Sequence, residues 1–317
     1  MTIAPPAAAP IGLIVNPAAR TVKRRHLVRQ PFWRAQLPDP LVRLTRSLTE
    51  LDDAVLAFRA LGVRAVAVLG GDGSLHHLVD ALLRAYAGSD VPIVLSLAGG
   101  TMNGLARALG TEGAPEAVLR TALAVLMSDA PPVRIRHVLR VTDTTTGRAR
   151  YGFSFATGLV YRAFQQYYRH PDPGMAAALR ASLLPFTAAL FGGPFYDGVR
   201  LELQADGAPF LSEPPHTVVA SVVGEPLPWF RPFGPPLGDA AAFHLGATSM
   251  RPREIAPRLW SLFRGRCRHP RLRIGRPREA TVRGNIGYLI DGELYPGDGG
   301  TNVRLSVGPR LRFLAPP

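Results

Sequence analysis

The sequence predicts an α/β plus all-β fold: an N-terminal open parallel α/β domain, residues 1–132, followed by an antiparallel β-sandwich domain, residues 133–317. From residue 11 to about residue 130, short apolar runs alternate with longer helical patterns, as in a parallel sheet with crossover helices. After Asp129–Pro132 the helical stretches thin out and β-like segments dominate. The length of 317 residues also exceeds the roughly 250 at which single cores become uncommon, so two domains with a cleft are expected.

Taken in order, the apolar runs predict strands over 11–15, 41–45, 64–69 and 92–96, with helices between them. Thr49 before LDDAVLAFRALG supplies an N-cap with acids in the first turn, and Gly62 supplies a stop. Asn16, Gly70 and Gly99 each follow a strand, which puts them at carboxyl ends, where open α/β sheets bind their ligands. In the second half, strands are expected over 133–142, 150–157, 198–205, 216–223, 241–249, 270–274, 279–283, 286–290 and 301–307. The stretch 174–196, apolar nearly all round and broken by Pro185, reads either as a core or interdomain helix or as an exposed face that meets lipid.

Composition narrows the class. An apolar fraction of 47% argues for a globular chain, and no uncharged apolar run of about 18 residues exists to span a bilayer. The N-terminal apolar residues lack preceding charge and are interrupted by prolines, so a secretory signal is not expected. The single cysteine, Cys267, excludes an intrachain disulfide and fits a reducing compartment; a cytoplasmic protein is expected. The net charge of +14 is carried by arginine, Lys23 being the sole lysine. Arginines cluster at 20–34 and at 251–283, where eleven stand against Glu254 and Glu279. Guanidinium groups suit phosphates, so the partners to consider are nucleic acid, anionic headgroups and nucleotides. The alternative is an arginine-biased solvated surface.

Two strand–glycine–helix junctions carry chemistry. In VAVLGGDGSLHHLVDALL (66–83), Gly70, Gly71 and Gly73 permit a tight turn whose N–H groups can converge on an anion, and the helix beginning near Ser74 points its positive end there. In IVLSLAGGTMNGLARALG (93–110), Gly99 and Gly100 let the backbone approach a ligand, Thr101 can cap the helix or bond a phosphate, and Asn103 offers donor and acceptor. No GxxxxGK[ST] run occurs, and no HRD or DFG set. Near the end, GYLIDGELY (287–295) places Asp291 and Glu293 around a glycine; Asp-Gly is the usual two-residue hairpin turn, and two acids at its edge could also orient and deprotonate a hydroxyl.

Together, Asn16-Pro17 after the first strand, GGDGS (70–74), GGTMN with LAR (99–107) and DGE (291–293) resemble the family of diacylglycerol kinase-like lipid kinases, which includes sphingosine and ceramide kinases. The motifs occur in the family's order and span most of the chain. The resemblance implies a diacylglycerol kinase catalytic domain that binds ATP with Mg²⁺ between the glycine loops, and a β-sandwich that takes the lipid. It assigns nucleotide contacts to Asn16, Pro17, Thr45, Gly70 to Ser74, Gly99, Gly100, Thr101 and Asn103, and the general base to Glu293 with Asp291. Asp72 is expected to serve the triphosphate or its metal.

Several positions depart from the family pattern. NPAAR puts Arg20 in the usual glycine region, where it is assigned to phosphate; Gly104 stands where an acid commonly follows Asn103, and His77 where glutamate is common. Asp239, in GDAAAF, is the nearest counterpart of the family's metal aspartate, without its glycine. The resulting expectation is ATP-dependent phosphorylation of a neutral lipid, diacylglycerol or a ceramide or sphingoid base. Its partners would be the lipid at the inner membrane face and anionic headgroups, with no nucleic acid and a homodimer left open. The alternatives are a kinase related to NAD kinase and a non-catalytic nucleotide- or nucleic-acid-binding protein.

Overall fold

A computed structural model describes residues 11–29, 31–87, 90–100, 105, 107, 109, 111, 113–168, 198–223, 233, 242–297 and 299–315. The chain divides into two compact units, Met1–Arg136 with Pro309–Pro317, and His137–Gly308. The boundary thus falls four residues beyond the one expected from the composition change, and the C-terminal residues do not stay with the second unit. The 174–196 stretch lies outside the described residues.

The first unit is built on parallel strands β1 (Ile11–Val15), β2 (Val42–Leu44), β3 (Ala65–Gly70) and β4 (Ile93–Ala98), in the order β2-β1-β3-β4. Every residue of β1 and β3 is buried, which is why they read as unbroken apolar runs. The end of the last strand joins them through Phe313, paired parallel with Val94. The connecting helices are α1 (Arg20–Arg24), α2 (Leu48–Ala60), α3 (Asp72–Tyr86) and, after β4, α4 (Pro115–Leu126). Gly12 lets the Phe58 ring of α2 lie against β1, since a Cβ there would sit 2.7 Å from the ring. The α2 cap is Ser47, not Thr49: its side chain accepts from Glu50 N–H at 3.1 Å while Glu50 accepts from Arg46 N–H at 2.6 Å. Ser-x-x-Glu gives two orphan N–H groups partners, which Thr49 could not do, so the helix starts earlier.

The second unit is a sandwich of antiparallel strands. One layer runs β12 (Leu272–Gly275), β11 (His244–Thr248), β10 (Thr217–Ser221), β7 (Ser154–Gly158), β14 (Tyr288–Ile290), β15 (Glu293–Tyr295). In the other, β13 (Glu279–Gly284) lies between β8 (Leu201–Ala205), which also pairs with the short β9 (Ala208–Pro209), and the first half of β16 (Thr301–Leu314), with β5 (Val133–Asp143) and β6 (Ala149–Gly152) paired beside it. Phe155, Val218 and Leu245 from the first layer and Val282, Val303 and Leu305 from the second form one buried core. Each such side chain contributes about 1.5–3 kcal/mol by leaving water. Helix α5 (Leu159–Tyr168) packs Tyr161, Val160 and Phe164 on the outer face of the first layer, against Ala156, Val219 and Leu289.

Candidate active site

The strand order β2-β1-β3-β4 reverses direction at β1, so the crevice outside the carboxyl ends of β1 and β3 is the topological switch point at which open sheets hold ligands. Asn16 follows β1 and Gly70 ends β3, and the two junctions are tied together. Asn16 Nδ2 donates to Ser74 Oγ at 2.9 Å, Asn16 N–H donates to Leu69 O at 3.0 Å, and Asn16 Oδ1 accepts from Ala18 N–H at 2.8 Å. Thr45, buried at the end of β2, donates its N–H to Val15 O at 3.0 Å.

The second glycine turn is held against the first. Gly99 N–H donates to Gly70 O at 2.8 Å, and a Cβ on Gly99 would come within 2.9 Å of the Gly70 backbone nitrogen. Gly70 likewise has no room for a Cβ, which would fall on the Ser74 side chain, and one on Gly71 would touch Gly100 Cα at 3.4 Å. At Gly99 glycine is therefore required by closeness of two backbones rather than by a left-handed φ. Thr21 of α1 closes the arrangement, donating its N–H to Gly99 O at 3.0 Å and its hydroxyl to Gly100 O at 3.1 Å. Nothing in the sequence spacing pointed to Thr21, because its partners, Gly99 and Gly100, lie far along the chain, the latter 79 residues on.

Helix α3 begins at Asp72, two residues before the expected start, with Gly71 as an N-cap that makes no side-chain bond. Its 15 residues aim first-turn N–H groups and the positive end of the helix dipole at the switch point. Asp72 Oδ1 accepts Leu105 N–H at 3.1 Å, which fastens the segment after the second glycine turn to the start of α3. Arg20 is exposed at the start of α1, close in sequence to Asn16 and Pro17. Thr101 and Asn103 lie outside the described residues, as does Asp239. Among the described residues no three His, Cys, Asp or Glu side chains gather to hold a metal. A magnesium ion carried on nucleotide phosphates needs only one or two protein carboxylates, and Asp72 is the acid of the glycine turns that suits it.

Asp291 and Glu293 belong to the second unit. Positive φ at Asp291 (51°) and Gly292 (89°), with Ile290 paired to Glu293, makes this a two-residue hairpin of the primed kind, as the Asp-Gly pair predicted. The Asp291 carboxylate is committed to the main chain. It accepts Phe153 N–H at 3.0 Å, Ser154 N–H at 2.8 Å and Ser154 Oγ–H at 3.0 Å, while Asp291 N–H returns a bond to Ser154 O at 3.1 Å. Gly152 allows this approach, since a Cβ there would lie 2.6 Å from Asp291 Oδ2. Behind the tip, Phe155 stacks on Tyr288 at 5.6 Å, Tyr288 on Tyr295 at 5.4 Å, and Arg150 lies 4.7 Å over Tyr295. Burial pushes the Tyr288 hydroxyl above its ordinary pKa. The Tyr168 hydroxyl, at the end of α5, donates to Gly292 O at 3.2 Å. Glu293, the first residue of β15, is thereby presented on a hairpin fixed from both sides.

Comparison with known proteins decides the resemblance for the first part of the chain. Residues 10–134 match the model of the diacylglycerol kinase catalytic domain. This N-terminal region carries a diacylglycerol kinase catalytic domain. Such a domain supports a kinase and implies a nucleotide as the phosphoryl donor. Three solved structures from Bacillus anthracis str. Sterne share the fold. One, named a diacylglycerol kinase, has a TM-score of 0.63 at 13% identity; two named as candidates for that activity score 0.65 at 15% and 0.66 at 13%. Each alignment covers 96% of both chains, so the likeness extends over the α/β and all-β parts alike. At these identities it speaks for the fold alone. A comparison with curated proteins finds no match.

Proposed function

We propose that this kinase transfers the γ-phosphoryl group of ATP to the hydroxyl of a neutral lipid, diacylglycerol or a ceramide or sphingoid base. The observation that carries the reading is the mutual fastening of two glycine turns at the switch point, Gly99 on Gly70 and Asn16 on Ser74. It leaves backbone N–H groups and the start of α3 to cradle phosphates, the main requirement of a reaction that asks for position and charge stabilisation more than covalent help.

In this reading Gly70 to Ser74 hold the triphosphate, with Thr101 and Asn103 assigned to it from the second turn. Thr45 and Asn16 flank the nucleotide, and Arg20 offsets phosphate charge. Asp72 holds the second turn in place through Leu105 and is the residue to which the metal is assigned. Mg²⁺ bound with ATP supplies charge neutralisation on the transferring group. Glu293 accepts the proton of the lipid hydroxyl as its oxygen bonds to phosphorus and the bond to the ADP oxygen breaks. Asp291 positions Glu293 by fixing the hairpin and takes no proton itself.

The test is incubation with labelled ATP, Mg²⁺ and mixed micelles holding diacylglycerol, ceramide or sphingosine separately, with NAD in a parallel reaction. Label is expected in one or more lipids. Label in NAD alone, or in no acceptor, would refute the lipid reading.

A further inference from the structure

Between β11 and β12 the chain leaves the six-stranded layer for a short helical excursion, α6 (Pro252–Ile255) and α7 (Leu259–Phe263). Its inner side is anchored: Met250 and Ile255 are buried against Leu262 and Leu272, and Cys267 is buried. Its outer side exposes Trp260, 68% accessible, with the Arg264 guanidinium stacked 4.3 Å over the indole. Leu272 and Ile274 are two residues apart on β12 and so share one face of the layer. Leu272 meets the excursion, while Ile274 is 38% exposed.

The same stretch is rich in charge. Arg251, Arg253, Arg264, Arg266, Arg268 and Arg276 are exposed. The only acid from residue 251 to 278 is Glu254, and it is tied to Arg271 at 3.3 Å and to Arg251 N–H at 2.7 Å. An exposed indole under one guanidinium, in a stretch with these exposed arginines and a single acid, calls for an occupant that is apolar inside and anionic at its surface. Indole rings settle at the headgroup level of bilayers, and guanidinium groups there meet phosphates. One exposed indole, with a face already covered by Arg264, is a poor platform for stacking successive bases, which favours lipid over single-stranded nucleic acid.

We infer that the 251–276 excursion is a membrane-docking element: Trp260 and Ile274 enter the interface of an anionic phospholipid bilayer while the arginines of the same stretch bind its headgroups. The inference rests on the lipid reading above for its purpose, since docking would bring the enzyme to an acceptor that stays in the bilayer. Its strand, β12, and the strand that carries Glu293, β15, are the two edges of the same six-stranded layer. Five interstrand spacings, roughly 24 Å, separate them, so docking can be disabled without touching the hairpin.

The experiment is co-sedimentation of the full chain with vesicles of phosphatidylcholine alone or with phosphatidylglycerol added, at low and high salt. Binding is expected only with the anionic lipid, and weakened by salt. Trp260→Ala should lower the partition about tenfold. Arg264→Glu with Arg268→Glu should lower it at least ~10-fold, each arginine near the surface being worth about fivefold. Binding should also blue-shift the tryptophan emission in the wild type but not in Trp260→Phe. Equal vesicle binding by wild type and Trp260→Ala, or binding to a DNA duplex without binding to vesicles, would overturn the inference. Turnover on a micelle-dispersed short-chain acceptor separates the two readings. Trp260→Ala should keep it, whereas absence of turnover in the wild type on every acceptor would sink the kinase reading and leave the vesicle result standing.

Discussion

The glycine turns of the first unit and the DGE hairpin of the second solve the same problem with different materials. In the first, two loops are brought together by main-chain bonds and by the lack of side chains: Gly99 N–H meets Gly70 O at 2.8 Å with no room for a Cβ between them. In the second, a loop is fixed by one side chain, Asp291, which gathers the N–H groups of Phe153 and Ser154 and the Ser154 hydroxyl. The aspartates of GGDG and DGE nonetheless share a habit. Asp72 accepts Leu105 N–H and Asp291 accepts the N–H groups of Phe153 and Ser154, so in each motif an acid that looks chemical serves as a fastener. A charged residue in a motif is therefore read correctly only once its donors are known.

The sharpest way to break the comparison is at Asp291. Asp291→Ala should cost about 4 kcal/mol in urea unfolding, because it deletes charge-assisted bonds and leaves two backbone N–H groups without their acceptor. Asp291→Asn, which keeps an acceptor oxygen, should cost about half as much. Wild-type stability in the alanine variant would show that the hairpin does not depend on this clamp.

Next is Gly99→Ala, which places a methyl 2.9 Å from the Gly70 nitrogen. Backbone cannot give way as a flexible side chain can, so a loss of roughly 1–3 kcal/mol is expected. Affinity for ATP, read by calorimetry, should fall at least ~10-fold as the turns part, by analogy with the sensitivity of reactions to ångström-scale misplacement. Undiminished affinity would remove the turns from the donor site.

A third effect is conditional on pH and extends the second unit's reliance on particular side chains. His244 is fully buried against Phe233, and among the described residues neither ring nitrogen has a hydrogen-bond partner. Burial, with Arg276 adding to it, pushes its pKa down from 6.5 to about 4. The unfolded chain thus takes up a proton that the folded chain refuses, and stability present above pH 6.5 is lost as pH falls towards about 4. The contribution is on the order of 2–3 kcal/mol. His244→Leu should show less of this acid slope in unfolding curves at pH 8, 6 and 4.5; parallel curves for both proteins would contradict the buried neutral imidazole.

Much of this was legible in the sequence, for reasons that lie in particular residues. The unbroken apolar runs of β1 and β3, short and followed by glycine or turn residues, read as doubly covered strands, and Asp291-Gly292 read as a two-residue turn. The cap of α2 was written there too, in Ser47 and Glu50, but Thr49 beside three acids concealed it. What could not be read was long-range. The donors that hold Asp291 lie 137 and 138 residues upstream, and Leu105 lies 33 residues beyond Asp72. The last strand also turned out to be divided between the two units, because its apolar pattern continues through Leu311, Phe313 and Leu314 to the β4 edge. The expected strand over 301–307 ended short of that continuation.

The division of labour between the two regions is tested most directly by Glu293→Gln, with ATP affinity and lipid phosphorylation measured on the same preparation. The account predicts ATP binding within about twofold of wild type and turnover lowered at least ~100-fold, the usual size of a lost general base. Turnover at the wild-type rate, or a loss of ATP affinity that matches the loss of turnover, would contradict it.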